Sequence, residues 1–562
     1  MRPLWLAFLF ISSLLTVARV QAQNPPATAA DATSKTEKCS LAGVVVRKNN
    51  NEPIHLARVT LESSEGGQKR LHAVTDVNGK FSLKDVDAGE YHLAVTRNGY
   101  VSEYYGARMP MDPGLPLNLT PGKHMDDLIF RMTPTGIITG RVRDENGEPL
   151  PGAQVTALLT GYAGGKRTLV PANVVEANDL GEYRLYNLVP GRYLLSAGYE
   201  SNSRFNRTFT NLLGSHEEHE GLVTTYFPST TDPALASAIN VDPGAELHSV
   251  DLSLQPSGLF HIRGIVVGLN STTTGFGGAV MLRKGTSRLT ALMPEKNTTI
   301  NPKDGTFDLE DVSSGSYDLI AFEMAENTPR ITHRGVEVRG ADVDGVQIAF
   351  EPSVSIKGRL HWDVKPAADV TLNVSLLSDE ESFGQSPRAE VQSDGSFELK
   401  GVTPDSYSLN VEGPAPDAYL KSAQYGSSDA LSAVNVSSGS TSELDLTVGA
   451  HGAHIQGVVT NSDPVPVSGV WVTLIPEERD RKQKRLYQSV RSGTNGKYEF
   501  RGVAPGTYDL FSWDAVEEHE WDDPDFLKPY QSKSVSITVG EGETKSQDLT
   551  TIRTKSDGET KP

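Results

Sequence analysis

A chain of 562 residues exceeds what one hydrophobic core organises, so several domains are expected. Hydrophobic residues make up 37%, with 52 Gly and 33 Pro, which suits many short strands joined by tight turns and wetted on one face. The net charge of −19 repels phosphate backbones and anionic lipid, so nucleic acid is excluded as an expected partner.

In chain order, residues 1–22 come first and read as a secretory signal peptide. Arg2 supplies the positive start, Leu4 to Val17 is an apolar run broken only by Ser12, Ser13 and Thr16, and Val20-Gln21-Ala22 is a small-x-small cleavage signal before Gln23. The run is too short for a stable membrane anchor, so no membrane span is expected after cleavage. The expected location is extracytoplasmic: periplasmic, cell-surface or secreted. Residues 23–38 form a Pro/Ala/Thr linker without periodicity, expected to be disordered. Cys39 is the single cysteine, so no internal disulfide forms, and a partly buried free thiol on the first strand is expected. Stability then rests on packed cores. Asn-x-Ser/Thr triplets stand at Asn118, Asn206, Asn270, Asn297, Asn373 and Asn435, and matter only in a host that glycosylates them.

Five segments then repeat. The first runs Asn78-Gly79, Phe81, Leu83, Val86, Gly89, Tyr91, Leu93. The second has Leu180-Gly181, Tyr183, Leu185, Val189-Pro190-Gly191, Tyr193, Leu195. The third has Asp304-Gly305, Phe307, Leu309, Val312, Gly315, Tyr317, Leu319, and the fourth Asp394-Gly395, Phe397, Leu399, Val402, Asp405, Tyr407, Leu409. The fifth has Asn495-Gly496, Tyr498, Phe500, Val503, Pro505-Gly506, Tyr508, Leu510. The spacing from turn Gly to Tyr is 12 in every copy. Asn-Gly and Asp-Gly supply the positive φ angles of a tight hairpin, and the period-two aromatic and Leu then face one side of a strand. The Tyr opens the returning strand with its ring turned inward again.

An opening strand precedes each motif, at Gly43-Val-Val45, Gly140-Arg-Val142, Gly264-Ile-Val266, Gly358-Arg-Leu360 and Gly457-Val-Val459. A second alternating strand follows it, as in Ala57-Arg-Val59-Thr-Leu61 and Val470-Trp-Val472-Thr-Leu474. About seven short strands per unit predict an all-β chain, a tandem array of five Greek-key β-sandwiches. The expected domains are 39–133, 134–256, 257–352, 353–450 and 451–550, with a polar tail at 551–562. Single helical turns are expected at Pro233 to Ile239 and Pro416 to Leu420.

The aligned residues resemble the carboxypeptidase regulatory-like domain family, through the G-x-V opening, the D/N-G-x-F/Y turn and the P-G-x-Y-x-L return. The third and fourth copies depart from it, with Ser314-Gly315 and Pro404-Asp405 in place of Pro-Gly. The resemblance implies a transthyretin-like, Ig-like sandwich, classed with collagen-adhesin B-type modules and the carbohydrate-binding-like fold. It implies no single activity.

Catalytic machinery is not legible, so a non-enzyme without cofactors is expected. No His has Glu three residues later, and no Gly-x-Ser-x-Gly, phosphate loop or dinucleotide fingerprint occurs. His216 and His219 have metal-ligand spacing but lie in an acidic, Gly/Ser/Asn-rich stretch, and His451 and His454 share the spacing before a strand. The Asp and Asn residues at the recurring turns offer oxygen ligands for calcium, yet turn geometry alone demands them. No metal site is therefore assigned.

Strand parity singles out the fifth unit. Trp471 aligns with the outward Arg58 and Gln154, while Phe511 and Trp513 alternate with the inward Tyr508 and Leu510. Trp521 follows in an acidic loop. Trp471, Phe511, Trp513 and Trp521 are thus the candidate ligand-binding residues, an outward aromatic patch suited to sugar faces or a protein contact. Tyr104-Tyr105 and Tyr226-Phe227 extend such a surface or begin the next strands. The expected function is an exported, multidomain binding or adhesion protein of the cell envelope, a rod displaying a recognition surface, with a glycan or an envelope protein as partner. The alternatives are a purely structural spacer or scaffold, and an accessory subunit of a secreted peptidase or glycosidase.

Overall fold

The computed structural model describes residues 37–64, 70–163, 166–198, 222–269, 278–284, 296–325, 328–364, 370–378, 386–413 and 415–554. The signal peptide, most of the 23–38 linker, His216, His219 and residues 555–562 of the polar tail lie outside the described residues. Those described are nearly all β.

The first unit sets the pattern, with strands β1 (Cys39–Arg47), β2 (Arg58–Ser63), β3 (Arg70–Val74), β4 (Lys80–Val86), β5 (Gly89–Thr96), β6 (Glu103–Tyr104), β7 (Leu117–Leu119) and β8 (His124–Met132). One sheet has the order β4-β1-β8; in the other β2 lies between β3 and β5, and β5 also takes β6 and β7. β1 pairs antiparallel with β4 and parallel with β8, so the chain crosses between sheets to come home. The same frame recurs around the opening strands Gly136–Arg143, Leu259–Val267, Val354–Trp362 and Ala453–Thr460, each with an antiparallel and a parallel neighbour.

The buried side chains form five main clusters, spanning residues 39–132, 138–254, 262–350, 356–448 and 453–549. Both motif aromatics of every copy are buried, from Phe81 and Tyr91 to Tyr498 and Tyr508. Each motif Tyr donates its hydroxyl to the carbonyl four residues before it: Asp87 at 3.0 Å, Val189 at 2.6 Å, Ser313 at 2.9 Å, Thr403 at 2.9 Å and Ala504 at 2.8 Å. That bond closes the second chain reversal. It explains why the position is Tyr and not Phe, since Phe would fill the core without giving the turn carbonyl this donor.

Two glycine positions are dictated by geometry. The turn Gly has φ +70, +69, +75, +87 and +69 in the five copies, and a Cβ on Gly496 would stand 2.5 Å from the Val459 carbonyl oxygen. The opening-strand Gly lets the last strand pass, because a Cβ on Gly457 would collide with the carbonyl of Gln547.

A further repeat element was not read from the sequence. Six residues after each turn Gly stand Asp85, Asn187, Asp311, Gly401 and Gly502, with φ of 58, 56, 57, 68 and 65. Each sits in a bulge where one extra residue interrupts pairing with the opening strand. The residue types are those that tolerate a left-handed backbone.

Short helical segments depart from expectation. A 3-10 turn spans Pro233–Leu235, as anticipated, but Pro416 to Leu420 runs into the strand Tyr419–Tyr425. Sequence reasoning missed helical turns at Glu520–Asp522, Pro524–Leu527 and Lys528–Lys533.

The units do not form a simple rod. Two main-chain bonds clamp the junction of the first and second units: Val101 N–H to the Thr133 carbonyl at 2.8 Å, and Thr135 N–H to the Gly99 carbonyl at 2.9 Å. The fifth unit packs on the fourth, through Arg485 to the carbonyls of Leu420 and Leu431 and through Arg501 to Asp417. It also reaches back to the first, where the Arg491 Nη1 lies 2.8 Å from Asp112 and the Arg108 Nη2 lies 2.8 Å from Asp514.

Candidate functional site

The four aromatics singled out in the fifth unit do come together, but not on the surface. Phe511, Trp513 and Trp521 are only 1%, 1% and 2% exposed. Phe511 and Trp513 do point away from the main core, as their parity implies. The segment after Trp513 then folds over them and makes a second, smaller core with Ile475, Val516, Leu527, Tyr530 and Ile552. Phe511 stacks on Trp513 at 5.0 Å and 9°, Tyr530 meets Trp513 edge-on at 5.5 Å, and Trp521 leans on Trp471 at 5.3 Å. Trp513 donates its indole N–H to the Thr473 hydroxyl at 2.9 Å, so even its polar edge is satisfied internally. The expectation of an outward aromatic platform is therefore corrected for these three. The missed signal was the roof itself: Asp523 accepts the Asp525 N–H and caps the turn begun by Pro524, which carries Leu527 inward, and Tyr530 follows on the next.

Trp471 is half-buried. One side meets Trp521, and the Arg491 guanidinium lies 4.4 Å from the ring centroid. Arg491 is thereby held between a π face and the carboxylate of Asp112, whose side chain is 2% exposed against 15% for the arginine. Asp112 also accepts the main-chain N–H groups of Arg108 and Gly114 at 2.9 Å each, so one carboxylate shapes the 108–114 turn and anchors the fifth unit to it. The aromatic cluster thus stiffens a joint between units.

Near this joint Glu103, at the start of β6, has its carboxyl pushed up to about 7. Burial is the main cause, opposed by Lys48 and reinforced by Asp112. At the joint of the fourth and fifth units Asp417 is held below the usual carboxylate range by the Arg501 guanidinium and by His454, which lies 3.0 Å away. His454 thus lies beside a carboxylate and His451 is exposed, while the other sequence candidates, His216 and His219, are not described. Among the described residues no group of three His, Cys, Asp or Glu side chains is placed to hold a metal ion. The turn acids have internal duties: Asp76 accepts the N–H groups of Asn78 and Lys80, and Asp304 and Asp394 accept those of Thr306 and Ser396. Cys39 is buried, with its Sγ 3.1 Å from the Thr120 carbonyl.

Of the tyrosine pairs, Tyr105 packs on the first core and Phe227 on the second. Tyr104 instead lines a cleft of about 740 Å³ at the junction of the first two units.

These two units carry the GxV opening, the turn Gly and the Gly of the return, and they are the ones a family model matches. Residues 40–121 and 137–219 match the carboxypeptidase regulatory-like domain. The three later units share the motif spacing, bulge and tyrosine bond of the first two, although the match does not extend to them.

No curated protein matches the chain. Among solved structures, the minor pilin of Streptococcus agalactiae is 14% identical, covering 39% of this chain and 96% of that one with a TM-score of 0.21. The shaft pilin SpaA of Lactobacillus rhamnosus GG is 13% identical, with coverage of 40% and 98% and a TM-score of 0.19. The TIE protein of Bacillus anthracis is 12% identical, covering 70% and 67% with a TM-score of 0.14. At scores this low no function is carried across. No helix among the described residues is long and apolar enough to cross a membrane.

Proposed function

We infer that the chain is a non-enzymatic binding and scaffold protein of the cell envelope, exported and acting through contact. The observation that supports this reading best is the joint between the first and fifth units. A side-chain pair more than 370 residues apart, Arg491 and Asp112, is withdrawn from water and supported by Trp471 on one side and the 108–114 turn on the other. Burying such a pair costs desolvation that only good geometry offsets, and the chain invests in it to hold modules in fixed relation. A fixed assembly of binding modules serves adhesion or scaffolding. A spacer would gain more from an extended array, so the spacer reading is the weaker one. A glycan or envelope protein is the expected ligand.

Two measurements test this. Fractionation of the source cells should find the mature chain outside the cytoplasm, beginning at Gln23. Purified chain mixed with isolated envelope fragments should cosediment saturably. Failure to cosediment, or a hydrolase activity in the purified chain, would refute the reading.

A further inference from the structure

The cleft between the first two units differs in charge from the rest of the molecule. Its lining includes Arg58 and Arg97 and no Asp or Glu, in a chain of net charge −19. Both guanidinium groups are exposed, and neither has an acidic partner among the described residues. Register explains their proximity: Arg58 on β2 stands opposite Thr96 on β5, and Arg97 follows directly. Around them stand the neutral hydrogen-bonding side chains of Asn98, Ser102, Thr135 and Asn187, with the half-buried ring of Tyr104.

Its walls are fixed before any ligand arrives. The bonds Val101 to Thr133 and Thr135 to Gly99 lock the floor, and Asp112 holds the turn that presents Met111. Two exposed apolar side chains rim it, Leu56 at 51% and Met111 at 69%, and both sit on left-handed backbone, at φ 60 and 66. At the position of Leu56 the second and fifth units use Gly152 and Gly469, at φ +76 and +75. A Leu there is strained where its sister units use glycine, and the fold itself does not require it.

Resting on the reading of the chain as an envelope-binding protein, we propose that this cleft binds an acidic saccharide, a uronate-bearing oligomer. The planar guanidinium forks of Arg58 and Arg97 match carboxylates, the amides and hydroxyls match ring hydroxyls, and Tyr104 with Leu56 and Met111 gives apolar surface for the sugar faces. An acidic peptide fits less well. A peptide that adds as a strand needs a free edge, and the floor's main-chain groups at 99, 101, 133 and 135 are already bonded to one another.

The test uses the full mature chain, with oligogalacturonate as probe and its methyl-esterified form and poly-glutamate as controls. Calorimetric titration at low salt should show saturable binding of oligogalacturonate, weakened at least about tenfold by methyl esterification and by the Arg58→Ala/Arg97→Ala double variant. Both arginines are exposed, and an unchanged melting temperature would show that the variant folds. The proposal is overturned if the double variant binds as the parent does, if poly-glutamate binds equally well, or if no probe binds. Retention of envelope cosedimentation by a double variant that has lost the oligomer would separate the two readings: the cleft stands, and envelope contact lies elsewhere. Absence of oligomer binding beside intact cosedimentation sinks the cleft alone.

Discussion

The motif tyrosines show how one side chain does two jobs. The ring of Tyr193 fills the second core while its hydroxyl ties off the Val189 carbonyl. Replacing it with Phe keeps the ring and orphans the carbonyl, so Tyr193→Phe should destabilise the second unit by about 1–2 kcal/mol in denaturant unfolding. Burial pushes the Tyr193 hydroxyl up to about 12 from an ordinary value of 10.0. A group whose folded pKa is raised contributes stability that is complete below its unfolded pKa and lost as pH rises through the folded one. The stability Tyr193 supplies should therefore hold to about pH 10 and fade towards pH 12, and Tyr193→Phe should flatten that alkaline slope. The fifth unit's aromatics carry the complementary lesson. Alternation told which way Phe511 and Trp513 point, because side-chain parity is local. It could not tell what lies above them, because a roof is a tertiary event. Trp513→Ala should accordingly destabilise the fifth unit by roughly 3–5 kcal/mol, read by calorimetry; a variant of unchanged stability would mean the roof does not pack as described.

At the scale of elements, turns and strands were legible, since Gly79 and its counterparts and the alternating Val-x-Val-x-Leu runs state their geometry locally. The bulge was also written in the sequence, as Asp85, Asn187, Asp311, Gly401 and Gly502 at constant spacing, but its mixed residue types hide it until backbone angles reveal the shared requirement. The 103–116 segment was read only as tyrosines ahead of a turn. Its role depends on Asp112, which binds two main-chain N–H groups and an arginine from the far end of the chain. Glu103 adds a pH dependence. Its folded pKa, about 7, is raised above the ordinary value of 4.5, so the stability it contributes is full below about pH 4.5 and is lost as pH rises through about 7. Hydrogen exchange in the 103–116 segment should thus speed between pH 6 and pH 8 beyond the intrinsic rate. Glu103→Gln should remove that excess, and an excess that persists would assign it to another group.

At the scale of the whole molecule, the sequence announced the modules without their arrangement. Five tandem units in order make a rod the natural reading. Contacts between units have no periodic signature: Asp112 and Arg491 are unremarkable surface-type residues until the fold brings them together. The same holds for the cleft, whose arginines lie on β2 and just after its sheet neighbour β5 while Thr135, Asn187 and Val189 come from the second unit. Function at this scale depends on the units keeping fixed relations, and the Arg491–Asp112 pair is where that claim is most exposed. Spin labels placed on exposed sites of the first and fifth units of the mature chain measure it directly. The account predicts one narrow, short distance distribution in the parent, broadened and lengthened by Asp112→Arg, which sets two buried positive charges against each other. A broad, long distribution in the parent, or one unmoved by Asp112→Arg, would contradict it.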